Sequence, residues 1–275
     1  MPIPAAIPDL QPIERAGRHF LVAGTHLDFW RSFAAGSWEP ETFAIFDHYL
    51  DSSTVHLDVG SWIGPTILYA ATRARQVIGF EPDPVAFRIL EINVRANPGL
   101  APIQVHPVAI AARPGRLALG SRTEAGDSMS SALFADGPVA WTAPARRLEE
   151  FEATWPADAP VFLKIDIEGG EYDLLPSLAA FVRRRRPTLY LSLHSHFFLG
   201  RSTSRGVGPK AWQELRLLKR FIGFWPVIRQ FPHCYSHSGR RISRLRLFHR
   251  STWRRTYALV LAHRPMPPPS SPSAR

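Results

Sequence analysis

The sequence predicts an α/β protein, doubly wound around a mostly parallel sheet, and three observations carry that prediction. Short apolar runs at 55–59, 77–80, 103–110, 161–167 and 188–193 alternate with segments of helical spacing, as parallel strands joined by crossover helices do. The first run closes on Asp58-Val59-Gly60, with a second glycine at Gly64 and then Pro65. The second run closes on an acid, Glu81. In such sheets, ligands bind beyond the carboxyl ends of the strands, where strand order reverses.

The elements follow in order. Residues 1–16 read as a loose lead-in. Residues 20–50 read as a strand or turn followed by helix, with Trp30, Phe33, Trp38, Phe43, Phe46 and Tyr49 as packing. Residues 36–40 break this region, and Glu39-Pro40-Glu41 has the proline and acid of a helix start. The first helix of the sheet spans 65–73, opened by a proline that needs no amide hydrogen there. The next spans 84–96, with Phe87, Leu90 and Val94 at helical spacing. Residues 113–145, rich in Gly, Ala, Pro and Ser, read as loops or a short hairpin around 116–119. Helices are expected at 171–182 and 210–222, and a last strand at 257–262. The strand before it is expected near 242–247. The Pro/Ser-rich end reads as disordered. Residues 1–50 are thus expected to form an N-terminal lid segment, 51–264 the main domain and 265–275 a disordered tail.

Composition narrows the function. The 275 residues are enough for one large α/β domain, and 45% hydrophobic content is ordinary for a globular chain. No apolar run reaches membrane-spanning length. Met1 to Leu10 lacks the basic and apolar blocks of a secretion signal. Cys234 is the only cysteine, which excludes an intrachain disulfide and a cysteine-based zinc cluster. A cytoplasmic protein is expected. Charge is segregated: residues 181–275 hold 20 Lys+Arg against Glu214 alone, so a chain of net +10 has a first part of net −9. That contrast suggests an anionic partner, with a merely solvated surface as the alternative.

The glycine turn indicates a ribose-bearing cofactor. Gly60 lets the chain leave the strand sharply and lets a ligand approach the backbone. Gly64 keeps the turn thin where the helix begins. A carboxylate at Glu81 can accept both ribose hydroxyls. A dinucleotide would call for G-x-G-x-x-G, with a pyrophosphate against the helix start. Here the pattern is G-x-x-x-G, and Trp62 would crowd a diphosphate. S-adenosylmethionine has no diphosphate, and Asp58 is placed to hold its ammonium group, directly or through water. Ser61, Trp62, Pro82, Asp83, Ala109 and Ser128 complete the expected cofactor set.

A second constellation is Lys164-Ile165-Asp166-Ile167-Glu168. Alternation along a strand would put the three charged side chains on one face. Burying them is costly unless they pair or serve a ligand. His194 and His196 follow the next strand. Methylation of an alcohol needs its proton removed as the oxygen attacks, which a histidine or carboxylate in reach can do. Asp166, Glu168, His194 and His196 are therefore the candidate catalytic residues. The same four could ligate a divalent metal, but their spacing is no recognised metal signature, and no metal is assigned. Alternatively, Asp166 or Glu168 only caps the next helix or pairs with Lys164.

The chain resembles the FkbM family of S-adenosylmethionine-dependent methyltransferases. The resemblance lies in 57–64, in Gly79-Phe80-Glu81-Pro82-Asp83, and above all in Lys164-Ile165-Asp166-Ile167-Glu168-Gly169-Gly170-Glu171. It implies a seven-stranded Rossmann-like fold and O-methylation of sugars, polyketides or other natural products. It assigns Asp58, Gly60 and Gly64 to the first cofactor motif, Glu81 to the ribose, and Asp166 to the side of the reacting methyl. Residues 127–131 resemble a serine-rich family segment at the pocket. Ser61-Trp62 stands where the family has Ala-Asn, and Ser192 where it has a glutamate two residues before the histidine, which shifts weight to His194.

The expected function is therefore O-methylation of a small-molecule or glycan hydroxyl, with an anionic acceptor suited to the arginine-rich half. One alternative is a nucleic-acid methyltransferase. It lacks a D/N-P-P-Y/F/W motif and a Pro-Cys pair, since Cys234 follows His233. Another is a non-catalytic module binding polyanions through Arg183–Arg186 and the later arginines, against which the intact cofactor motif argues. A dehydrogenase is disfavoured by the glycine pattern.

Overall fold

The structure, a computed structural model, describes residues 9–121, 123–199, 207–249, 252 and 256–266. Three sheets organise it. The chain opens with β1 (Leu10–Arg15) and β2 (Arg18–Ala23), an antiparallel hairpin turning at Ala16-Gly17. The loose lead-in expected for 1–16 is thus a strand from Leu10 onward. Arg15 anchors it: buried, it donates to the Phe33 carbonyl at 2.5 Å and lies 3.8 Å from the centre of the Phe43 ring. Helices α1 (Leu27–Ala34) and α2 (Pro40–Tyr49) follow, burying Trp30, Phe33, Phe43 and Phe46.

The main sheet begins with β3 (Val55–Val59), α3 (Pro65–Ala70), β4 (Gln76–Phe80), α4 (Pro84–Arg95) and β5 (Ile103–His106). Strand β5 ends four residues short of expectation, because Ala109–Ile110 is a separate strand, β6, in a second sheet. That sheet is completed by β7 (Gly115–Ser121) and β8 (Val139–Arg146), paired antiparallel around the expected 116–119 segment. The main sheet resumes with β9 (Val161–Ile165), α5 (Glu171–Leu174), α6 (Ala179–Arg185) and β10 (Thr188–Leu193). The helix expected over 171–182 is broken by a 3-10 turn at Leu175–Leu178, whose proline, Pro176, cannot donate to a helical ladder. Then come α7 (His196–Leu199), α8 (Val207–Ile228), β11 (His233–Ser236) and β12 (Tyr257–Ala262). The sixth strand of the domain is β11 and not 242–247, where Arg244–Phe248 forms a 3-10 helix.

The main sheet has seven strands in the order β11-β12-β10-β9-β3-β4-β5. All but β12 run the same way, since β12 is antiparallel to both neighbours. Strand order reverses between β3 and β9. Alternate residues feed two apolar cores: Leu57, Leu163 and Leu191 face one, Phe162, Tyr190 and Val260 the other. The N-terminal aromatics belong to the second core, with Phe46 5.4 Å from Phe162. The tail expected to be disordered lies outside the described residues from 267 on. Before it, the Met266 amide donates to the Tyr235 hydroxyl at 2.9 Å. Among the described residues, no helix is long and apolar enough to cross a membrane.

Candidate active site

The site grows from the reversal between β3 and β9. Beyond Val59 the chain passes through left-handed backbone at Gly60 (φ 89°), Trp62 (φ 48°) and Gly64 (φ 96°) before α3. A Cβ at Gly60 would lie 1.9 Å from the Asp166 carbonyl oxygen, and one at Gly64 would lie 2.6 Å from Leu90 Cδ1. Glycine is what lets the two strand ends close, and the Asp166 amide donates to the Val59 carbonyl at 2.9 Å. Ser61 ties the neighbouring strand in: its hydroxyl donates to the Asp58 carbonyl at 3.0 Å and accepts from the Phe80 amide at 3.1 Å.

Two cavities flank this turn. The first, a cleft, is lined by Gly60, Trp62, Glu81, Pro82, residues 108–112, Asp127, Ser128, Asp166 and Glu168. The second shares Gly60, Trp62, Ser128, Asp166 and Glu168 and adds Ser61, Lys164, Phe29, Trp38 and Glu39.

Glu81 is held at the end of β4. Oε1 accepts from the Asp83 amide and Oε2 from the Trp62 amide, both at 2.8 Å. Burial raises its pKa to about 7, against those two amides, with Asp83 and Asp58 adding to the rise. Each oxygen keeps a free lone pair. Asp83 acts differently from expectation. It caps α4 by accepting from Val85 and Ala86, while Oδ2 accepts from the Gly126 amide at 2.8 Å and the Ser130 hydroxyl at 3.0 Å. It holds the 126–130 loop from behind and does not line the cleft.

Asp58 is also behind the lining. Fully buried, it accepts from Lys164 Nζ at 3.1 Å and from Thr66 Oγ1 at 2.5 Å, with His56 Nε2 at 3.8 Å. Burial alone would raise its pKa, but Lys164, His56 and Thr66 outweigh that and lower it. Asp58 lines neither cavity, so direct capture of a cofactor's ammonium by it is not what the geometry offers. Lys164 also reaches the Gly60 carbonyl at 3.4 Å and Asp166 Oδ2 at 3.5 Å. Burial would lower its pKa, and Asp58, Asp166 and Glu39 raise it.

The expected alternation of Lys164, Asp166 and Glu168 along one strand does not persist, because β9 ends at Ile165 and Glu168 is left-handed (φ 52°). The loop brings them together nonetheless. Asp166 and Glu168 line both cavities, and His194 stands behind them. His194 Nε2 is 3.4 Å from Glu168 Oε2 and 3.7 Å from Asp166 Oδ1, while Nδ1 is 2.8 Å from Glu171 Oε1. Burial would lower the His194 pKa, but the Glu171 hydrogen bond and the three carboxylates push it up to about 9. Burial raises Glu168 to about 8, partly offset by His194. His196 is not brought in. It packs 4.2 Å from the Phe197 ring and lines neither cavity. Gly64 shapes the turn without lining either cavity, whereas Ala109 and Ser128 do line the cleft.

Sequence reasoning missed two residues. Glu171 reads as a helix start after two glycines, and only the fold shows it buried against His194. Glu39 reads as a helix start too. Its pKa is raised by burial and by Asp166, and its Oε2 accepts from Thr42 at 2.9 Å. The expected meeting of acceptor and arginine-rich half is not seen either. Among the described residues no arginine lines either cavity, and Arg184–Arg186 and Arg264 surround a separate hollow at the amino ends of the strands.

A reversed-order parallel sheet with a glycine turn and a buried acid at its carboxyl ends has the form of a nucleoside-cofactor site. The chain belongs to the FkbM methyltransferase family: the FkbM methyltransferase domain matches residues 58–221. The matched domain is a methyltransferase domain. Among solved structures it is similar to the FkbM methyltransferase of Methylobacillus flagellatus, with 16% identity over 86% of this chain and 54% of that one and a TM-score of 0.47. This chain thus spans about half the length of that protein. It is similar to a T. thermophilus 16S rRNA methyltransferase at 12% identity, covering 96% of this chain and 52% of that one with a TM-score of 0.42. A methyltransferase from Agrobacterium tumefaciens matches at 13% identity, covering 94% of this chain and 72% of that one with a TM-score of 0.43. No curated protein matches the chain.

Proposed function

We propose that the enzyme O-methylates a hydroxyl of a small molecule or glycan in the cytoplasm, at the carboxyl-end cleft of a doubly wound, Rossmann-like sheet. The observation that carries this is Glu81: a buried carboxylate with one amide donor on each oxygen and a lone pair of each left for a ribose hydroxyl. The neighbourhood fits the cofactor. The apolar stretch 108–112 walls the cleft for a base, and the Gly60 turn admits a close ligand.

When bound, the cofactor supplies a methyl on a sulfonium, transferred to oxygen as the carbon–sulfur bond breaks and its electron pair stays on sulfur. The chain's own residues do the rest. Asp166 and Glu168 face the cleft and receive the acceptor's hydroxyl and its proton. Lys164 and His194 hold those carboxylates from behind. Glu39, which lines the second cavity, takes the cofactor's ammonium group in place of Asp58. Phe29, Trp38 and Glu39 cover that cavity, so the first 50 residues act as a lid. Among the described residues the lining holds carboxylates and no arginine, which favours a neutral acceptor over an anionic one.

Calorimetry with S-adenosylhomocysteine tests the reading. Micromolar binding by the wild type, weakened about 10–100-fold in Glu81→Ala by loss of charged hydrogen bonds, is the expected outcome. A folded wild-type chain that takes up none would end the proposal.

A further inference from the structure

The group behind the cleft is shaped for a cation. Asp166, Glu168 and His194 each offer one ligand atom, all within 4.8 Å of one another. The separations from His194 Nε2, 3.4 Å and 3.7 Å, lie close to a coordination shell. Donors about 2.1 Å from a divalent ion stand roughly 3.0–3.4 Å apart in octahedral or tetrahedral arrangement.

A second observation concerns the far side of the His194 ring. His194 Nδ1 is fixed at 2.8 Å by Glu171 Oε1, and the other Glu171 oxygen accepts from the Gly169 amide at 2.9 Å. Both residues are buried. A carboxylate on the far nitrogen is the outer partner that metal-bound imidazoles have, and it aims Nε2 at the two acids. Among the described residues, the ion pairs of Nε2 are the two at 3.4 Å and 3.7 Å. Asp166 divides its oxygens the same way, Oδ2 toward Lys164 and Oδ1 toward His194.

Charge points in the same direction. Asp58, Asp166, Glu168 and Glu171 crowd together, and among the described residues Lys164 is the only lysine or arginine paired with any of them. His194 adds a second positive charge while it is protonated, but a histidine that serves as a ligand gives that proton up, and an ion then takes over its charge-balancing part. Asp166 and Glu168 also line the cleft, so an ion there would keep an open side toward a ligand.

Resting on the methyltransferase reading above, we propose that Asp166, Glu168 and His194 bind a divalent cation that orients the acceptor hydroxyl, with Glu171 as the positioning residue. Mixed carboxylate and imidazole donors suit Mn²⁺ and its neighbours. An oxygen held by such an ion loses its proton more readily, here to the Glu168 oxygen that does not bind the ion, and then attacks the methyl as the carbon–sulfur bond breaks.

The test is titration of the chelator-stripped full chain with Mn²⁺, reading the electron paramagnetic resonance of the free ion. Calorimetry with S-adenosylhomocysteine on the same sample runs beside it. A single saturable site is expected in the wild type, with affinity about 10–100-fold lower in Glu171→Gln. It should be lost in His194→Gln with circular dichroism unchanged. No saturable Mn²⁺ uptake by a chain that binds S-adenosylhomocysteine overturns the ion site and leaves the methyltransferase reading intact. Uptake that neither His194→Gln nor Asp166→Asn alters also overturns it, because the ion then sits elsewhere. Mn²⁺ uptake without S-adenosylhomocysteine binding supports the ion site and counts against the cofactor reading.

Discussion

The two ends of the main sheet differ in charge, in burial and in what their charges touch. At the amino ends, Arg184, Arg185, Arg186 and Arg264 ring an open hollow. Arg184 pairs with Glu152, both partly exposed, and Arg185 donates to the Ala157 carbonyl. At the carboxyl ends, Asp58, Lys164, Glu171 and His194 are almost wholly buried and bonded to one another. The contrast teaches that net charge does not locate chemistry. The basic half of the chain supplies most of the charge, but the acidic part supplies most of the site.

The comparison is broken most severely at Lys164. Lys164→Met leaves Asp58 buried without its cation and should cost about 3–5 kcal/mol in urea unfolding at pH 7. A loss below about 1 kcal/mol would mean that water reaches Asp58. Asp83→Ala comes next. It removes the cap of α4 and the anchor of Gly126 and Ser130, for an expected loss of about 1–2 kcal/mol and weaker S-adenosylhomocysteine binding. A stability change without a binding change would separate the loop from the cofactor.

The pH prediction concerns Glu81. Its folded pKa, raised to about 7, lies above the unfolded value. In the ligand-free chain, the stability this group contributes is therefore present at acid pH and lost as pH rises through about 7. A ribose that bonds the ionised form reverses the preference. Binding should weaken up to about tenfold per unit as pH falls below 7, with proton release on binding near pH 6. Affinity flat from pH 5 to 8 would take Glu81 out of the ribose site. The smallest effect belongs to the other end of the sheet. Arg184→Ala and Arg185→Ala should each shift stability by about 0.5 kcal/mol or less, as exposed pairs do. Neither should change cofactor affinity, and a change in either would tie the basic hollow to the site.

Much of this architecture was readable in advance, for physical reasons that differ by residue. Strand β3, its glycine turn and Glu81 are local patterns, so Gly60, Glu81 and the helix opened by Pro65 fell where expected. Strand β11 was misplaced because His233–Ser236 is short and carries polar residues at both ends, while 242–247 mimics a strand's alternation. Asp58 and Asp83 lie behind the cleft lining, which motif position did not show, because it says nothing about which way a carboxylate is already engaged. Glu171 and Glu39 stayed hidden because their partners are distant in the chain: 23 residues separate Glu171 from His194.

The pair between Asp58 and Lys164 spans 106 positions of sequence. Contacts of that separation repay the entropy of closing the chain only after most of the fold is in place. The glycine turn can take shape early as a local unit, yet it gains its counter-charge only when the ninth strand docks beside it. The residues that shape the cleft therefore come together only with the fold of the whole sheet.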